Sequence, residues 1–166
     1  MTPSDINEHL PTLKRYAEKC EHITEMGVRW CVSSYALLAA NPKRMVSYDI
    51  ETHPNVAALK EAASIAGIDF NYIEADTNKV TIEETDILFL DTEHSYRQLK
   101  SELTLHSDKV REYIIFHDTV TFANYRADGL GGLSQAIEEW STDNPQWQLE
   151  EHFNNNNGLT VYKRVK

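Results

Sequence analysis

Two short segments of the chain each combine a carboxylate with an imidazole: Asp91-Thr92-Glu93-His94 and His117-Asp118. Each follows a short apolar run that is typical of a buried strand. If these strands are neighbours in a parallel sheet, the four side chains lie within reach of one cation, because the carboxyl ends of such strands meet at one edge. Carboxylates with water favour Mg²⁺ or Mn²⁺, and added imidazole shifts the preference toward Mn²⁺, Fe²⁺ or Zn²⁺.

His94 has two further interpretations. Its unperturbed pKa near ~6.5 is appropriate for a general base at neutral pH. Its structural alternative is packing at the start of the helix that follows. The segment from Asp118 to Leu130 is a long loop that contains Phe122, Tyr125 and Arg126. Loops of this length often act as lids, so these side chains could contact a substrate; a plain surface loop is the alternative.

The first predicted strand ends in Glu25-Met26-Gly27 and leads into a helix that carries Ser33 and Ser34. Gly27 would let a ligand approach the backbone, and the helix N-terminus can accept a carboxylate or phosphate. An ordinary turn with a capping serine is the alternative. One glycine is not a glycine-rich loop, so the sequence lacks the dinucleotide fingerprint and argues against a nicotinamide dehydrogenase.

Acidic residues also follow the second and third predicted strands. Asp49 lies about 20 residues beyond Gly27, which is the usual separation for a carboxylate that holds two ribose hydroxyls. Glu51 is the nearby alternative for that role, unless it is a solvated loop acid. Asp76 could accept a hydrogen bond from the exocyclic amine of adenine, or it could cap a short helical turn around residues 81–85.

The elements that position these residues alternate between short apolar runs and helical patterns. Strands are predicted at about 22–26, 45–50, 70–73, 86–90, 113–116, 147–153 and 159–165. Helices are predicted from Ser4, as the cap, to about Cys20, then at 30–40, from Pro54 to Gly67, from Tyr96 to Val110, and after Gly131-Gly132. This alternation predicts an α/β fold: a Rossmann-like, doubly wound, mostly parallel seven-stranded sheet with a C-terminal antiparallel hairpin.

The composition narrows the class of partner. The 166 residues fit one domain, and 16 basic against 26 acidic residues give a net charge of −10. This balance argues against nucleic acid or an anionic membrane as the main partner, and the basic C-terminal residues (Lys163, Arg164, Lys166) fit a solvated tail. Two cysteines form no disulfide framework, and neither a signal peptide nor a membrane-spanning run is present, so a cytoplasmic protein is expected.

Several of these segments carry a resemblance to a known family. The chain resembles the small class I S-adenosylmethionine-dependent methyltransferases, especially the group of macrocin O-methyltransferase, a macrolide sugar enzyme, and the cephalosporin-hydroxylase-like proteins. The resemblance spans about residues 21–165, behind an N-terminal helix at 1–20, and implies one methyltransferase-like domain over 1–166. It rests on Glu25-Met26-Gly27-Val28-Arg29, on Asp91-Thr92-Glu93-His94-Ser95-Tyr96, on Ile114-Ile115-Phe116-His117-Asp118-Thr119, and on the segment from Gly131 to Ile137.

The resemblance implies a role for each strand end. Glu25 and Gly27 would contact the methionine part of S-adenosylmethionine, with Ser33 nearby. Asp49 would hold the ribose and Asp76 would face the adenine. Asp91, His117 and Asp118 would bind a divalent metal such as Mg²⁺ or Mn²⁺. His94, with Asp91 beside it, would act at the methyl-transfer point as base or ligand. The implied activity is metal-assisted O-methylation of a small molecule or sugar (EC 2.1.1.-).

Two departures from the family pattern affect that expectation. Relatives usually carry a second glycine where Trp30 or Cys31 stands, so this pair either crowds the cofactor carboxylate or reshapes the turn. The chain also has little of the usual substrate-covering lid. The acceptor site is therefore expected to be open, to be completed by a second subunit in a homo-oligomer, or to have been lost. The alternative functions are a non-catalytic methyltransferase-fold protein that binds a nucleoside-like ligand or a protein partner, and a metal-dependent hydrolase.

Overall fold

Seven strands form one mixed sheet in the computed structural model, which describes residues 5–126 and 129–165. The strands are β1 (His22–Met26), β2 (Arg44–Asp49), β3 (Asp69–Glu74), β4 (Thr85–Leu90), β5 (Val110–His117), β6 (Trp147–Phe153) and β7 (Leu159–Arg164). Their order is β3-β2-β1-β4-β5-β7-β6, and β7 runs antiparallel to both of its neighbours. The predicted fold class is therefore confirmed. The strand order reverses between β1 and β4, where open sheets of this kind bind ligands.

Within the described residues, five α-helices cover the two faces of the sheet. They are α1 (Leu10–Ala17), α2 (Val32–Leu38), α3 (Val56–Ala66), α4 (Tyr96–His106) and α5 (Leu133–Asp143). Buried residues of α1, α2 and α3 join one apolar cluster, and those of α4 and α5 join the other. The central strands supply both clusters because alternate side chains point to opposite faces: in β4, Ile87 and Phe89 face the first layer, and Leu88 and Leu90 face the second.

Two helix ends differ from the sequence-based expectation. Val110 does not extend the helix that begins at Tyr96, because α4 ends at His106 and Val110 pairs with Thr85 as the first residue of β5. A single apolar residue fits a helix face and a strand start equally well, so periodicity could not separate them. The predicted helix over 30–40 is shorter because Cys31 has left-handed backbone angles, with φ at 65°, which an α-helix cannot contain.

The N-terminal segment begins with a 3-10 turn, Asn7–His9, and only then becomes α1. The predicted cap, Ser4, lies outside the described residues. The prediction places the end of this helix at about Cys20, but α1 ends earlier, at Ala17. Within residues 5–126 and 129–165, no helix combines the length and apolarity that crossing a membrane requires.

Candidate active site

A cleft of about 630 Å³ opens at the carboxyl ends of β1 to β4, across the point where the strand order reverses. Its volume lies within the ordinary range for pockets that hold small molecules and cofactors. Its lining is rich in carboxylates and contains one guanidinium. The lining residues are Gly27, Arg29, Asp49, Ile50, Glu51, Thr52, His53, Pro54, Ala75, Asp76, Thr77, Asn78, Asp91, Thr92, Glu93 and Gln98.

Close packing against the end of β4 explains why residue 27, at the end of β1, is a glycine. Its φ is +89°, and a Cβ atom at this position would lie 2.0 Å from the carbonyl oxygen of Asp91. A glycine is therefore required for the ends of β1 and β4 to approach each other. The sequence alone indicated only the close approach of a ligand, and the structure adds the close approach of β4.

Asp49 holds the loop that follows Gly27. Its Oδ2 accepts hydrogen bonds from the backbone amides of Val28 at 2.7 Å and Arg29 at 2.8 Å. Its Oδ1 faces the backbone amide of Glu51 at 3.4 Å. One oxygen of the Asp49 carboxylate, Oδ2, thus binds the loop. The other oxygen, Oδ1, and the exposed side chain of Glu51 are the acidic groups at this part of the cleft.

The Trp30-Cys31 pair does not fill the cleft. Cys31 is buried in the first apolar cluster, and its left-handed backbone shows that it occupies a position where glycine is the usual residue. Trp30 is 50% exposed, and its ring meets the ring of His53 edge-on, with centroids 4.0 Å apart. Because neither side chain lines the cleft, the pair reshapes the turn rather than crowding the cleft.

Glu25 lies beneath the cleft with no exposed surface. Its carboxylate accepts hydrogen bonds from three hydroxyl groups, those of Ser33 at 2.7 Å, Ser34 at 2.8 Å and Ser47 at 2.7 Å. Burial raises the pKa of Glu25 to about 7, although the three hydroxyls act in the opposite direction. Glu25 and Ser33 therefore support the loop from below, and the structure does not bring them to the cleft surface.

The far end of the cleft is formed by the turn after β3. Asp76 caps a 3-10 turn at Thr77–Lys79, where its Oδ1 accepts a hydrogen bond from the amide of Asn78 at 3.0 Å. The capping alternative is therefore right, but its position around residues 81–85 is wrong. Hydrogen bonds from Lys79 and the Asn78 amide hold the pKa of Asp76 below its usual value.

A buried polar network that the sequence analysis missed supports this end of the cleft. Glu102 of α4 has no exposed surface and accepts hydrogen bonds from the hydroxyls of Thr77 and Thr92 and from the amide of Gln98. Burial raises the pKa of Glu102. Gln98 also accepts a hydrogen bond from Asn78, whose Oδ1 is enclosed without a partner in the described part of the chain.

Asp91, His94, His117 and Asp118, named here the His–Asp cluster, meet at the ends of β4 and β5. The Nε2 atom of His94 lies 2.6 Å from Asp118 Oδ2 and 3.6 Å from Asp91 Oδ1. The Nδ1 atom of His117 lies 3.4 Å from each of the same two oxygens. One donor atom each from Asp91, His94 and Asp118 falls within 4.8 Å of the others, a spacing compatible with one cation.

The charges of the cluster strongly shift its pKa values. Burial alone would lower the pKa of each histidine, but the hydrogen bonds and charges of the two aspartates outweigh it, raising the pKa of His94 to about 9 and of His117 to about 10. Conversely, burial would raise the pKa of Asp118, yet hydrogen bonds from both histidines hold it far below its usual range. Without a metal ion, both imidazoles are therefore protonated at neutral pH.

Asp118 combines a buried, unsatisfied oxygen with an unusual backbone conformation. It is 4% exposed, and its Oδ1 has no hydrogen-bond partner within the described residues. Its backbone is also left-handed, with φ at 60°, which aspartate tolerates better than most residues. Strain and an unpaired buried oxygen at one residue are features that concentrate at functional sites.

Phe122 positions one of the imidazoles. Its ring stacks on that of His94, with centroids 4.1 Å apart and planes 14° apart, and Tyr125 meets Phe122 edge-on. The start of the loop is pinned by backbone hydrogen bonds from Val120 and Thr121 to the carbonyl of Asn157. Part of the predicted lid is thus ordered over the cluster, and Ala127 and Asp128 lie outside the described residues.

A turn within the asparagine run closes the other side of the cluster. The Nε2 atom of His117 lies 3.2 Å from the carbonyl oxygen of Asn156, and the Nε2 atom of His9 lies 2.9 Å from that of Asn155. Asn156 and Asn157 have left-handed backbones, with φ at 48° and 70°. The sequence signalled a hairpin turn here but not its contact with the site, because the contact is made by a backbone carbonyl.

Structural comparison identifies the class of fold. The N-methyltransferase NodS from Bradyrhizobium japonicum WM9 superposes with a TM-score of 0.67 at 13% identity, over 99% of each chain. A proposed caffeoyl-CoA O-methyltransferase from Staphylococcus aureus gives 0.69 at 13% identity, over 95% of this chain and 83% of that one. The chain therefore has the class I S-adenosylmethionine-dependent methyltransferase fold.

A third solved structure is similar and contains ligands. The 1,6-didemethyltoxoflavin-N1-methyltransferase from Burkholderia thailandensis, solved with 1,6-didemethyltoxoflavin and S-adenosylhomocysteine, gives a TM-score of 0.66 at 9% identity, over 96% of this chain and 80% of that one. No protein-family model and no curated protein sequence matches this chain. At such identities the likeness establishes the fold, and the function has to be argued from the site.

Proposed function

We propose that the protein is an S-adenosylmethionine-dependent methyltransferase that O-methylates a small molecule or sugar with the help of a divalent metal ion. The observation that carries this proposal is the position of Asp91. Its side chain lines the cleft and is also part of the His–Asp cluster. A ligand that fills the cleft therefore ends beside the groups that could bind and deprotonate an acceptor.

The cleft has the properties that this cofactor requires. Its lining holds five carboxylates against one guanidinium, which favours the positively charged sulfonium and amine of S-adenosylmethionine. Asp49 Oδ1 and Glu51 offer acceptors for the ribose hydroxyls. At the far end, the carboxylate of Asp76 lines the cleft and offers an acceptor for the exocyclic amine of adenine. Glu25 and Ser33 would act indirectly, by holding the loop that faces the methionine part.

The His–Asp cluster also fits a metal ion. Two carboxylates and an imidazole converge there, and Asp118 Oδ1 is buried with no partner among the described residues. Asp91, His117 and Asp118 would hold the ion. A bound divalent cation would lower the pKa of an acceptor hydroxyl, orient its oxygen and offset the carboxylate charges that keep His94 protonated.

The remaining steps belong to side chains of this chain. His94 would accept the proton of the acceptor hydroxyl at Nε2, which requires the neutral imidazole. The stacked Phe122 ring fixes the plane of that imidazole, so that Nε2 stays directed at the cluster. The ring of Phe122 covers one face of the imidazole, and the His94 side chain is still 32% exposed and can be reached by an acceptor.

Calorimetric titration tests the proposal first. S-adenosylmethionine and S-adenosylhomocysteine are titrated into the protein with and without Mg²⁺ or Mn²⁺. Micromolar binding supports the cofactor assignment, and transfer of a labelled methyl group to a panel of sugars and phenols then identifies the acceptor class. Absence of binding in every condition would contradict the proposal. Binding without turnover on any acceptor would favour a ligand-binding protein of the same fold.

A further inference from the structure

The imidazole of His117 faces the two aspartates in a defined protonation pattern. A carbonyl oxygen can only accept a hydrogen bond, so the contact with Asn156 places a proton on Nε2 of His117. In the neutral ring, the lone pair is then on Nδ1. This atom lies equally far, 3.4 Å, from Asp91 Oδ1 and Asp118 Oδ2.

Three electron-pair donors that point at one another need a positive charge between them. A lone pair and two carboxylate oxygens repel unless a proton or a metal ion occupies the shared space. The side chain of His117 has no exposed surface, so bulk water does not screen this repulsion. The second oxygen of Asp118, Oδ1, is a further electron-pair donor, buried and without a partner in the part of the chain that the structure describes.

The surroundings of His117 are those of a metal ligand. Metal-binding histidines almost always donate the other ring N–H to a carboxylate or a backbone carbonyl, which fixes the tautomer and the ring orientation. The Asn156 carbonyl fills that role here. It is supplied by a turn that is itself tied to the N-terminal segment, where Asn157 donates to the side chain of Asp5.

His94 differs from His117 in these respects. Its Nε2 atom lies much closer to Asp118 than to Asp91, 2.6 against 3.6 Å, so it is not shared equally between the two carboxylates. Its side chain is also 32% exposed, whereas that of His117 is enclosed. The position of His94 therefore suits proton exchange, whereas the position of His117 suits a ligand that stays bound to a metal ion.

We infer that His117 Nδ1 is a metal ligand, and that with Asp91 and Asp118 it forms a mixed nitrogen–oxygen site that selects first-row transition ions over Mg²⁺. The inference rests on the proposed function and names its metal class. Mg²⁺ prefers oxygen ligands in a near-octahedral arrangement. An imidazole ligand favours first-row transition ions instead, and the affinity of such a site rises from Mn²⁺ to Fe²⁺ to Co²⁺. An aspartate in place of His117 would leave an all-oxygen site.

Electron paramagnetic resonance tests this directly. The metal-free protein is titrated with Mn²⁺, free Mn²⁺ is measured from its signal, and Mg²⁺ and Co²⁺ are then used as competitors. We expect Co²⁺ to displace Mn²⁺ at lower concentration than Mg²⁺ by at least about 100-fold. Pulsed spectra of the Mn²⁺ complex should show coupling to a directly bound ¹⁴N nucleus.

Two variants identify the nitrogen. H117D should lose the ¹⁴N coupling, because aspartate supplies an oxygen ligand instead of a nitrogen. For the same reason, the ratio of the Mg²⁺ and Co²⁺ concentrations that displace Mn²⁺ should fall by at least about 10-fold. H94Q should retain both the coupling and this ratio. Circular dichroism and thermal unfolding show whether each variant is folded, and the measurements on the unaltered protein stand even if H117D does not fold.

Other outcomes separate this inference from the proposed function. Bound Mn²⁺ without ¹⁴N coupling, coupling that disappears in H94Q instead of H117D, or no Mn²⁺ binding while S-adenosylhomocysteine still binds would each overturn the inference and leave the cofactor assignment intact. Mn²⁺ bound with ¹⁴N coupling, but no binding of S-adenosylhomocysteine, would support the metal site and overturn the methyltransferase assignment.

Discussion

Glu25 and Asp118 are both buried carboxylates near the carboxyl ends of strands, but their surroundings are opposite. Both oxygens of Glu25 are used by three serine hydroxyls, and among the described residues it forms no ion pair. Asp118 has one oxygen beside two imidazoles, and its other oxygen has no partner in the described part of the chain. A satisfied buried acid holds structure, whereas an unsatisfied one is stable only if another group completes it. We therefore expect substitutions at the two positions to separate stability from activity.

Asp118→Asn should have the largest effect on activity. The amide keeps the shape and tolerates the left-handed backbone, but it removes the charge that faces both histidines. We expect methyl transfer and metal affinity to fall by at least about 100-fold. In the metal-free protein the accompanying loss of stability should be largest near neutral pH, where Asp118 holds the protons on both histidines, and should vanish above about pH 10. Single-turnover assays and urea unfolding measure the two quantities. A variant that loses stability but keeps its metal would reverse the roles of the two acids.

Glu25→Ala should show the opposite pattern. The substitution leaves three buried hydroxyls without their acceptor and opens a cavity, so we expect a loss of about 2–4 kcal/mol of unfolding free energy. Metal affinity of the folded fraction should change far less than in Asp118→Asn, because Glu25 would not be a metal ligand and is coupled to the His–Asp cluster through its charge interaction with Asp91. Urea unfolding and Mn²⁺ titration below the unfolding temperature provide the comparison. Wild-type stability in this variant would show that the serines find other partners.

The pH dependence of stability should separate the two regions within one protein. A group whose pKa is raised on folding binds its proton more tightly in the folded state, so stability falls as pH rises from the unfolded pKa to the folded one. For Glu25 this window runs from 4.5 to about 7. For His94 and His117 in the metal-free protein it runs from 6.5 to about 9 and about 10. Each pKa unit corresponds to about 1.4 kcal/mol.

Variants assign the two windows. Glu25→Gln should flatten the fall in stability below pH 7 and leave the upper window unchanged. Asp118→Asn should flatten the upper window alone, because the histidines lose the charge that raises their pKa values. Thermal unfolding across pH 4.5 to 10 with a chelator present measures both. Identical curves for the two variants would contradict the separation of the regions.

Asp49 and Glu51 extend the comparison to the cleft. Asp49 resembles Glu25, because its Oδ2 is already used by the amides of Val28 and Arg29, whereas Glu51 is exposed. We expect Glu51→Gln to weaken S-adenosylhomocysteine binding by about 1.5 kcal/mol if it holds the ribose, and Asp49→Ala by about 1.5–3 kcal/mol through the ribose, the loop, or both. Calorimetry gives the affinities. If only Asp49→Ala has an effect, Glu51 does not hold the ribose.

The sequence predicted the parts of the molecule that depend on local pattern. Strand and helix periodicity indicated the sheet, and polar residues at strand ends indicated Asp91, His94, His117 and Asp118. What it missed depends on contacts across the chain. Gln98 and Glu102 are ordinary helix residues until α4 packs on the turn after β3, and Asn156 acts through a carbonyl that every residue type has. The hydroxyl shell of Glu25 likewise needs Ser47 from the neighbouring strand.

Cys31→Gly is the smallest of the expected changes and addresses the departure from the family pattern. Glycine would remove the cost of a left-handed backbone, about 1 kcal/mol, but would also remove a buried side chain of similar value, so we expect a net change in stability of less than about 1 kcal/mol. S-adenosylhomocysteine affinity should change by less than about 2-fold, because the thiol does not line the cleft. Cys31→Ala, which keeps the Cβ atom, is the matched control. A 10-fold gain in affinity with glycine but not with alanine would mean that the backbone at Cys31, rather than its side chain, restricts the cofactor.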